Sequence, residues 1–471
     1  MSELIIRFDT PRIGYGRVEL RCTQGSGIPR GVTAAYGRNG SGKSTLGIAL
    51  EKGRYAFGNR LSFFPSTLKV KLITFSDIHS LSGMEVTYHH QRMEATMNDY
   101  VPTVAEVMKR RHESDEWQKI ATSLGLQNIA EKKINYLSSG ELRKLLISNA
   151  LSYHPDLLIL DNPYIGLDKE SRTDFNCALE KLKKEGHSIL LLLTDPLDIP
   201  PFTDNFILIE NLTVSTPRPY SQAILSEFAY NDSANDSFSL PDASQKRMAD
   251  HKIAFQIRNG HAEYGDKVIF RNLDWTVRSG ECWRLSGRNG SGKSLLMSMI
   301  CADNPQAYSN DITLFDRKRG SGESIFDIKD NIGYVSPEMH LYFRTNDTVE
   351  EVMIKGLRNA LNCHRPGTPE ERAIAQAWLE AMNIAHLQGR KYMELSQGEQ
   401  RLILVARAMI GQPPLLLLDE PFHGLDPIHK ERLKKIINAL MTRNHGALIF
   451  VTHYDEETPE CVILSRSLLP G

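Results

Sequence analysis

Two twelve-residue stretches of this 471-residue chain are the same element used twice, and they differ at one chemically decisive place. "LLILDNPYIGLD" ends at Asp168 and "LLLLDEPFHGLD" at Asp426. In each, an aliphatic run delivers an aspartate, Asp161 or Asp419. The next residue is Asn162 in the first copy and Glu420 in the second. A carboxylate there can take a proton from attacking water, worth roughly 10²- to 10⁴-fold in rate. An amide of nearly the same shape can hydrogen-bond that water but cannot take its proton. The contrast predicts one half that performs a hydrolytic step and one that does not. The alternative is that Asn162 is a neutral variant and another base serves.

What the water would attack is indicated by a second repeat. "GRNGSGKS" occurs at 37–44 and again, identically, at 287–294. It satisfies the G-x-x-x-x-G-K-S/T pattern of a phosphate loop, with strand-like "ECWRLS" before the second copy and helix-like "SLLMSMIC" after it. Gly37, Gly40 and Gly42, and Gly287, Gly290 and Gly292, let backbone N–H groups turn toward phosphate oxygens, with the following helix N-terminus adding positive potential. Asn39, Asn289 and Thr45 belong to the same candidate nucleotide-binding set. Lys43 and Lys293 reach for the β- and γ-phosphates; Ser44 and Ser294 place a hydroxyl on Mg²⁺, and Asp161 and Asp419 serve its outer shell. Downstream, "FVTHYD" puts His453 34 residues after Asp419, and "LLTDPL" puts Asp195 34 residues after Asp161. An imidazole there could meet the γ-phosphate, whereas a carboxylate would repel it.

These residues need elements to carry them. The all-aliphatic runs read as strands buried on both faces of a parallel sheet, alternating with amphipathic helices over 172–184 and 428–441: an α/β fold in each half. The stretches 104–136 and 349–394 read as helical subdomains ahead of "LSSGE" (137–141) and "LSQGE" (395–399). Residues 1–229 and 252–471 are then two copies of one domain, joined by a polar linker over 230–251. The composition, 41% hydrophobic and 24% charged, is that of a globular protein, and a net charge of −1 supplies no bulk attraction to nucleic acid or anionic membrane. No apolar run approaches the ~20 residues that span a bilayer, and "MSELIIRFDT" lacks the pattern of a signal peptide. The six cysteines are scattered and read as reduced packing residues, so the expected location is cytoplasmic.

The elements occur in the order of the Walker A, signature, Walker B, D-loop and switch motifs, and the chain resembles ABC-type ATPases over nearly its whole length. The resemblance implies tandem P-loop nucleotide-binding domains, each with a RecA-like α/β core and a helical subdomain, that bind ATP and Mg²⁺ and pair head to tail. Carried over, one site would combine Lys43, Ser44, Asp161, Asn162 and Asp195 with Ser396 and Gly398. The other would combine Lys293, Ser294, Asp419, Glu420 and His453 with Ser138 and Gly140. Asp168 and Asp426 match the D-loop. Tyr264 takes the adenine-stacking place in the second half, with Tyr15 a weaker counterpart in the first. The Q-loop glutamine, a Mg²⁺ ligand, matches Gln91, but Pro337 stands at that position in the second half and brings no ligand.

Within the superfamily, the segment 304–341 is similar to that of the soluble tandem ATPases of the ModF type, associated with molybdate transport and photorepair. Its basic turn "DRKRGSGE" (316–323) reads as a solvated hairpin or as an anion- or partner-binding loop. The resemblance implies membrane-transporter subunits as partners in trans, reached peripherally at the inner face of the membrane. An ATP-gated regulator and an ABC-F-like translation factor are the competing classes; the latter carry a long charged arm between domains, which the polar linker here does not match.

Overall fold

A computed structural model describes residues 3–15, 18–52, 60–74, 102–109, 120–122, 124–134, 137, 139–228, 238–241, 251–264, 267–287, 290–359 and 365–468. The chain divides into two compact units that change over at Asn231 and Asp232.

In the first unit, five parallel strands lie in the order Val70–Ile73, Leu157–Asp161, Ser188–Leu193, Val32–Tyr36 and Asn205–Glu210. Every residue of the second, third and fourth of these is buried, as the aliphatic runs predict for strands covered on both faces. The helix Lys43–Lys52 follows the phosphate loop, and Lys169–Lys184 lies between the strand of Asp161 and the next. The expected helical region is described in part: Val104–Lys109, a short 3₁₀ turn at Gln127–Ile129, and then the helix Ser139–Leu151.

The second unit repeats the strand order, with Ile332–Val335, Leu415–Asp419, Ala447–Val451, Cys282–Ser286 and Leu464–Ser467 all parallel. A separate antiparallel sheet contains the twelve-residue strands Ile253–Tyr264 and Lys267–Arg278. Its helical region forms from Val349–Leu357 and Pro369–Ala381, ahead of Gln397–Ile410. All three helices start with a reciprocal capping box, Thr348 with Glu351, Thr368 with Glu371 and Ser396 with Glu399. Each satisfies helix N–H groups that would otherwise lack partners.

Part of the polar stretch between the halves is tied down within the second unit. The Arg443 guanidinium donates to the carbonyls of Leu240 at 2.9 Å and Pro241 at 2.6 Å, and the Gln412 amide donates to Pro241 O at 3.0 Å. The Arg432 guanidinium lies 5.6 Å from the centre of the Phe238 ring. The "DRKRGSGE" turn is not wholly solvated either: Arg319 is buried, with its guanidinium 4.7 Å from the centre of the Tyr308 ring.

Candidate functional site

In each sheet the strand carrying the aspartate, the strand after it and the strand before the phosphate loop are neighbours. Their carboxyl ends therefore open side by side, the position at which α/β sheets bind ligands. The phosphate loops have the close backbone approach that excludes side chains. Gly42 (φ +103°) and Gly292 (φ +93°) are left-handed, and a Cβ would come within 2.4 Å of Leu20 and 2.5 Å of Ile269, respectively. Lys43 is buried, its ammonium donating to Gly37 O at 2.6 Å and Arg38 O at 2.8 Å; Lys293 donates to Gly287 O at 2.7 Å. These cations are held over the loop by its own carbonyls, poised for anionic oxygens.

The proposed metal-binding pairs are assembled in both halves. The Ser44 hydroxyl donates to Asp161 Oδ2 at 2.6 Å and the Ser294 hydroxyl to Asp419 Oδ2 at 2.7 Å. Asp161 Oδ1 is buried without a hydrogen-bond partner among the described residues. Burial pushes this carboxyl above its usual range, against the lowering influence of Ser44, Lys43 and Arg143. A hydroxyl beside a buried carboxylate with an unused oxygen is a donor set that fits hydrated Mg²⁺, whose charge would favour the ionised form.

Around the contrasting residue the two halves part. Glu420 stands between two imidazoles: His453 Nε2 is 2.9 Å from Oε1, and His423 Nδ1 is 2.8 Å from Oε2. Both contacts are at ion-pair distance but lack hydrogen-bond geometry, and neither ring nitrogen has a hydrogen-bond partner among the described residues. Burial raises the Glu420 carboxyl, but His423 and His453 outweigh it and hold the group well below the usual carboxylate range. In the first half, the Asn162 carbonyl oxygen accepts from the Thr194 hydroxyl at 2.6 Å. The backbone is the same at both places and left-handed, φ +47° at Asn162 and +50° at Glu420. Asparagine adopts that region readily, whereas glutamate is strained there by roughly 1–3 kcal/mol. The second half therefore holds its carboxylate against a local backbone preference that the first half satisfies.

The structure corrects one equivalence drawn from sequence. Asn162 N–H donates to Leu192 O and Glu420 N–H to Val451 O, so Leu192 and Val451 occupy equivalent places. The phosphate-loop strands agree, pairing Ala35 with Leu192 and Leu285 with Val451. Counting onward, Thr194, not Asp195, stands where His453 stands. The helix Pro427–Asn444 is longer than Lys169–Lys184 and displaces the frame by one residue, which the matching "TD" and "TH" dipeptides conceal. Asp195 instead caps the next turn, accepting from Leu197 N–H at 2.9 Å. The expected repulsion between Asp195 and a γ-phosphate is withdrawn; the first half presents a neutral Asn–Thr pair.

Other expected residues fall at element ends. Ser396 caps the helix Gln397–Ile410, with Gly398 buried in its first turn, and Gly140 lies in the first turn of Ser139–Leu151. Asp168 caps Lys169–Lys184, accepting from Ser171 N–H at 2.8 Å, and Asp426 immediately precedes Pro427–Asn444. Tyr15 ends a short strand and is exposed. Ser138, Asn289 and Gln91 lie outside the described residues, as does the side chain of Tyr264. Pro337 opens the short helix Pro337–Tyr342, capped by Ser336, so the Q-loop position of the second half is a helix start without a metal-ligating side chain.

Three positions at the candidate site escaped the sequence reading: His423, Thr194 and a repeated arginine. Arg401 donates to the carbonyls of Asp419 at 2.9 Å, Glu420 at 2.8 Å and Ser336 at 2.6 Å, and so joins the Walker B and Q-loop backbones. Arg143 does a related task on Ile165 O at 2.9 Å. The signal was present, since both arginines stand three residues after the signature glycine.

Beside Arg401, burial pushes the His340 imidazole down to about 3, and the guanidinium acts in the same direction while Gln400 opposes. The folded state thus favours neutral His340. Its contribution is fully present above the free value of 6.5 and is lost as pH falls from there toward 3. Denaturant titrations between pH 6.5 and 5 should show a stability loss of up to about 1.4 kcal/mol per pH unit from this group. That portion of the slope should be missing in His340→Gln.

The geometry defines a tandem pair of P-loop nucleotide-binding domains. The sequence matches the ABC transporter family over residues 27–165 and 270–423, and the chain belongs to that family. It is 33% identical over 450 residues to the ABC transporter ATP-binding protein ModF of Escherichia coli, covering 93% of this chain and 91% of that protein. An uncharacterized ABC transporter ATP-binding protein of Schizosaccharomyces pombe is 28% identical, with 91% and 90% covered. Among solved structures, a chain of ribosome-bound archaeal Pelota and ABCE1 shares the fold with a TM-score of 0.60 at 19% identity, covering 95% of this chain and 74% of that one. As in the family, the domains bind ATP. Among the described residues no helix is long and apolar enough to cross a membrane.

Proposed function

We propose that this protein is an ATPase with divided labour. The site built on Lys293, Ser294, Asp419, Glu420 and His453 hydrolyses ATP, and the site built on Lys43, Ser44, Asp161 and Asn162 binds ATP without turning it over. The observation that carries this reading is the carboxylate held between two imidazoles in one half, against the neutral Asn162–Thr194 pair in the other. Ionised Glu420 accepts a proton from the attacking water, and His453 offers an imidazole to the γ-phosphate. Mg²⁺, held through Ser294 and Asp419, would neutralise charge on the phosphates. In the head-to-tail pairing of the family, Ser138 and Gly140 complete the hydrolytic site and Ser396 and Gly398 the binding site. Asp168 and Asp426 serve as the D-loop residues.

The similarity to ModF over nearly the whole chain supports a transport-related partner, with oxyanion import, including molybdate, as the process served. The partner would be membrane subunits met at the cytoplasmic face. A second reading, an ATP-gated regulator with slow turnover, is favoured by Pro337, which brings no metal ligand to the hydrolytic site. A single-turnover experiment tests the division: with both sites loaded, part of the bound ATP should convert to ADP while the rest persists through the first turnover. Complete conversion at one rate would exclude it. Steady-state turnover and capture of transporter subunits by the ATP-trapped protein then separate transport from regulation.

A further inference from the structure

Glu420 is caught by two histidines of different standing. His453 follows the strand Ala447–Val451, on a separate segment from the carboxylate it meets. His423 shares the turn of Glu420, which its own N–H closes by donating to Glu420 O at 3.2 Å. That turn is fixed on both sides: Arg401 holds the carbonyls of Asp419 and Glu420, and fully buried Phe422 packs on Phe450 with ring centres 5.4 Å apart. A histidine so placed travels with Glu420, while the other is free to depart. The first half supplies the comparison. Its turn closes the same way, Ile165 N–H to Asn162 O at 3.4 Å, but Ile165 carries no donor, and Asn162 takes its partner from Thr194. Histidine stands at this turn position where the carboxylate is kept and is missing where it is not.

We propose that His423 is a positioning residue for the hydrolytic carboxylate: it keeps hold of Oε2 when His453 turns from Oε1 toward the nucleotide. The inference rests on the reading of the second half as the hydrolytic one. A glutamate has three side-chain torsions, and its backbone here is left-handed, so a carboxylate released by His453 would have no other partner on its own turn to fix its direction. The 2.8 Å contact lacks hydrogen-bond geometry as it stands, and a turn of the ring brings the Nδ1–H onto Oε2 when His453 leaves. An asparagine amide nitrogen can occupy nearly the same place as Nδ1; isoleucine offers nothing.

The test is steady-state ATPase kinetics of the full chain with His423→Ile, the residue of the first half, and His423→Asn. Isoleucine should lower kcat by roughly 10²-fold, the scale of a misplaced catalytic group, with KM for ATP unchanged. Asparagine should recover most of that loss. Wild-type kcat in His423→Ile, equal losses in the two variants, or a loss expressed in KM alone would each overturn the proposal. Should His423→Ile fail to fold, as judged by thermal unfolding, His423→Ala against His423→Asn decides on the same terms. Glu420→Gln run alongside separates the two levels. Full activity in that variant overturns the hydrolytic reading itself, whereas its loss together with a full-rate His423→Ile overturns the positioning role alone.

Discussion

Replacing Glu420 by glutamine should reduce ATP turnover by about 10²- to 10⁴-fold and leave ATP binding in place, because only the proton acceptor has been removed. The physical case is local. Held ionised by two imidazoles, Glu420 can take a proton from water, and its strained backbone keeps it at the carboxyl end of the strand beside Asp419. A glutamine carries one acceptor and one donor at its tip. It can satisfy one histidine, and its NH₂ then faces the ring N–H of the other, so the carboxylate geometry is not reproduced. Turnover and nucleotide retention measured on the same preparation check the expectation. Turnover at the wild-type rate would remove Glu420 from the reaction and with it the division of labour between the halves.

The converse substitution, Asn162→Glu, should fail to create a second active site and should destabilise the first unit by roughly 1–3 kcal/mol, since a half-buried glutamate enters a left-handed backbone that asparagine suits better. The new carboxylate would enter a left-handed backbone suited to asparagine, with one hydroxyl donor from Thr194 and an aliphatic side chain at Ile165. Nothing there replaces the two imidazoles that oppose desolvation around Glu420. Chemical unfolding and ATPase assays read the two parts independently. The combination Asn162→Glu, Ile165→His and Thr194→His rebuilds the surroundings and should recover part of the lost stability. If Asn162→Glu alone doubles turnover, the neighbouring residues do not matter and the interpretation of the first half fails.

Both predictions depend on residues that the sequence displayed unevenly. The phosphate loops, the aspartate strands and the exchange of glutamate for asparagine were legible because each is a short contiguous motif in the repeat. So was the burial of the central strands, since runs such as "LLLLD" must be covered on both faces. The counterpart of His453 was not legible. A helix two residues longer followed by a connection one residue shorter moves every later residue by one relative to the strand end, and a shared threonine in "LLTD" and "FVTH" made the wrong alignment the tidier one. His423 was hidden for a different reason. A histidine at i+3 from a carboxylate is unremarkable until a closed turn brings its ring against one oxygen. The linker, read only as polar, shows the same limit, because the hold of Arg443 on Leu240 and Pro241 is made by backbone carbonyls that leave no mark in sequence.

By itself, then, the sequence determined which chemical groups exist and in which half: one carboxylate and one amide, two lysines, two serines and two aspartates on matching strands. Covalent identity and short-range periodicity suffice for that. Tertiary structure alone decided which groups meet: Thr194 rather than Asp195 beside Asn162, two histidines on one carboxylate, and an arginine bracing the strand end. Contacts of 2.6–2.9 Å arise from strand register and turn closure. A shift of one residue along a strand moves a side chain by about 3.3 Å and to the opposite face, so no motif read along the chain could have settled them.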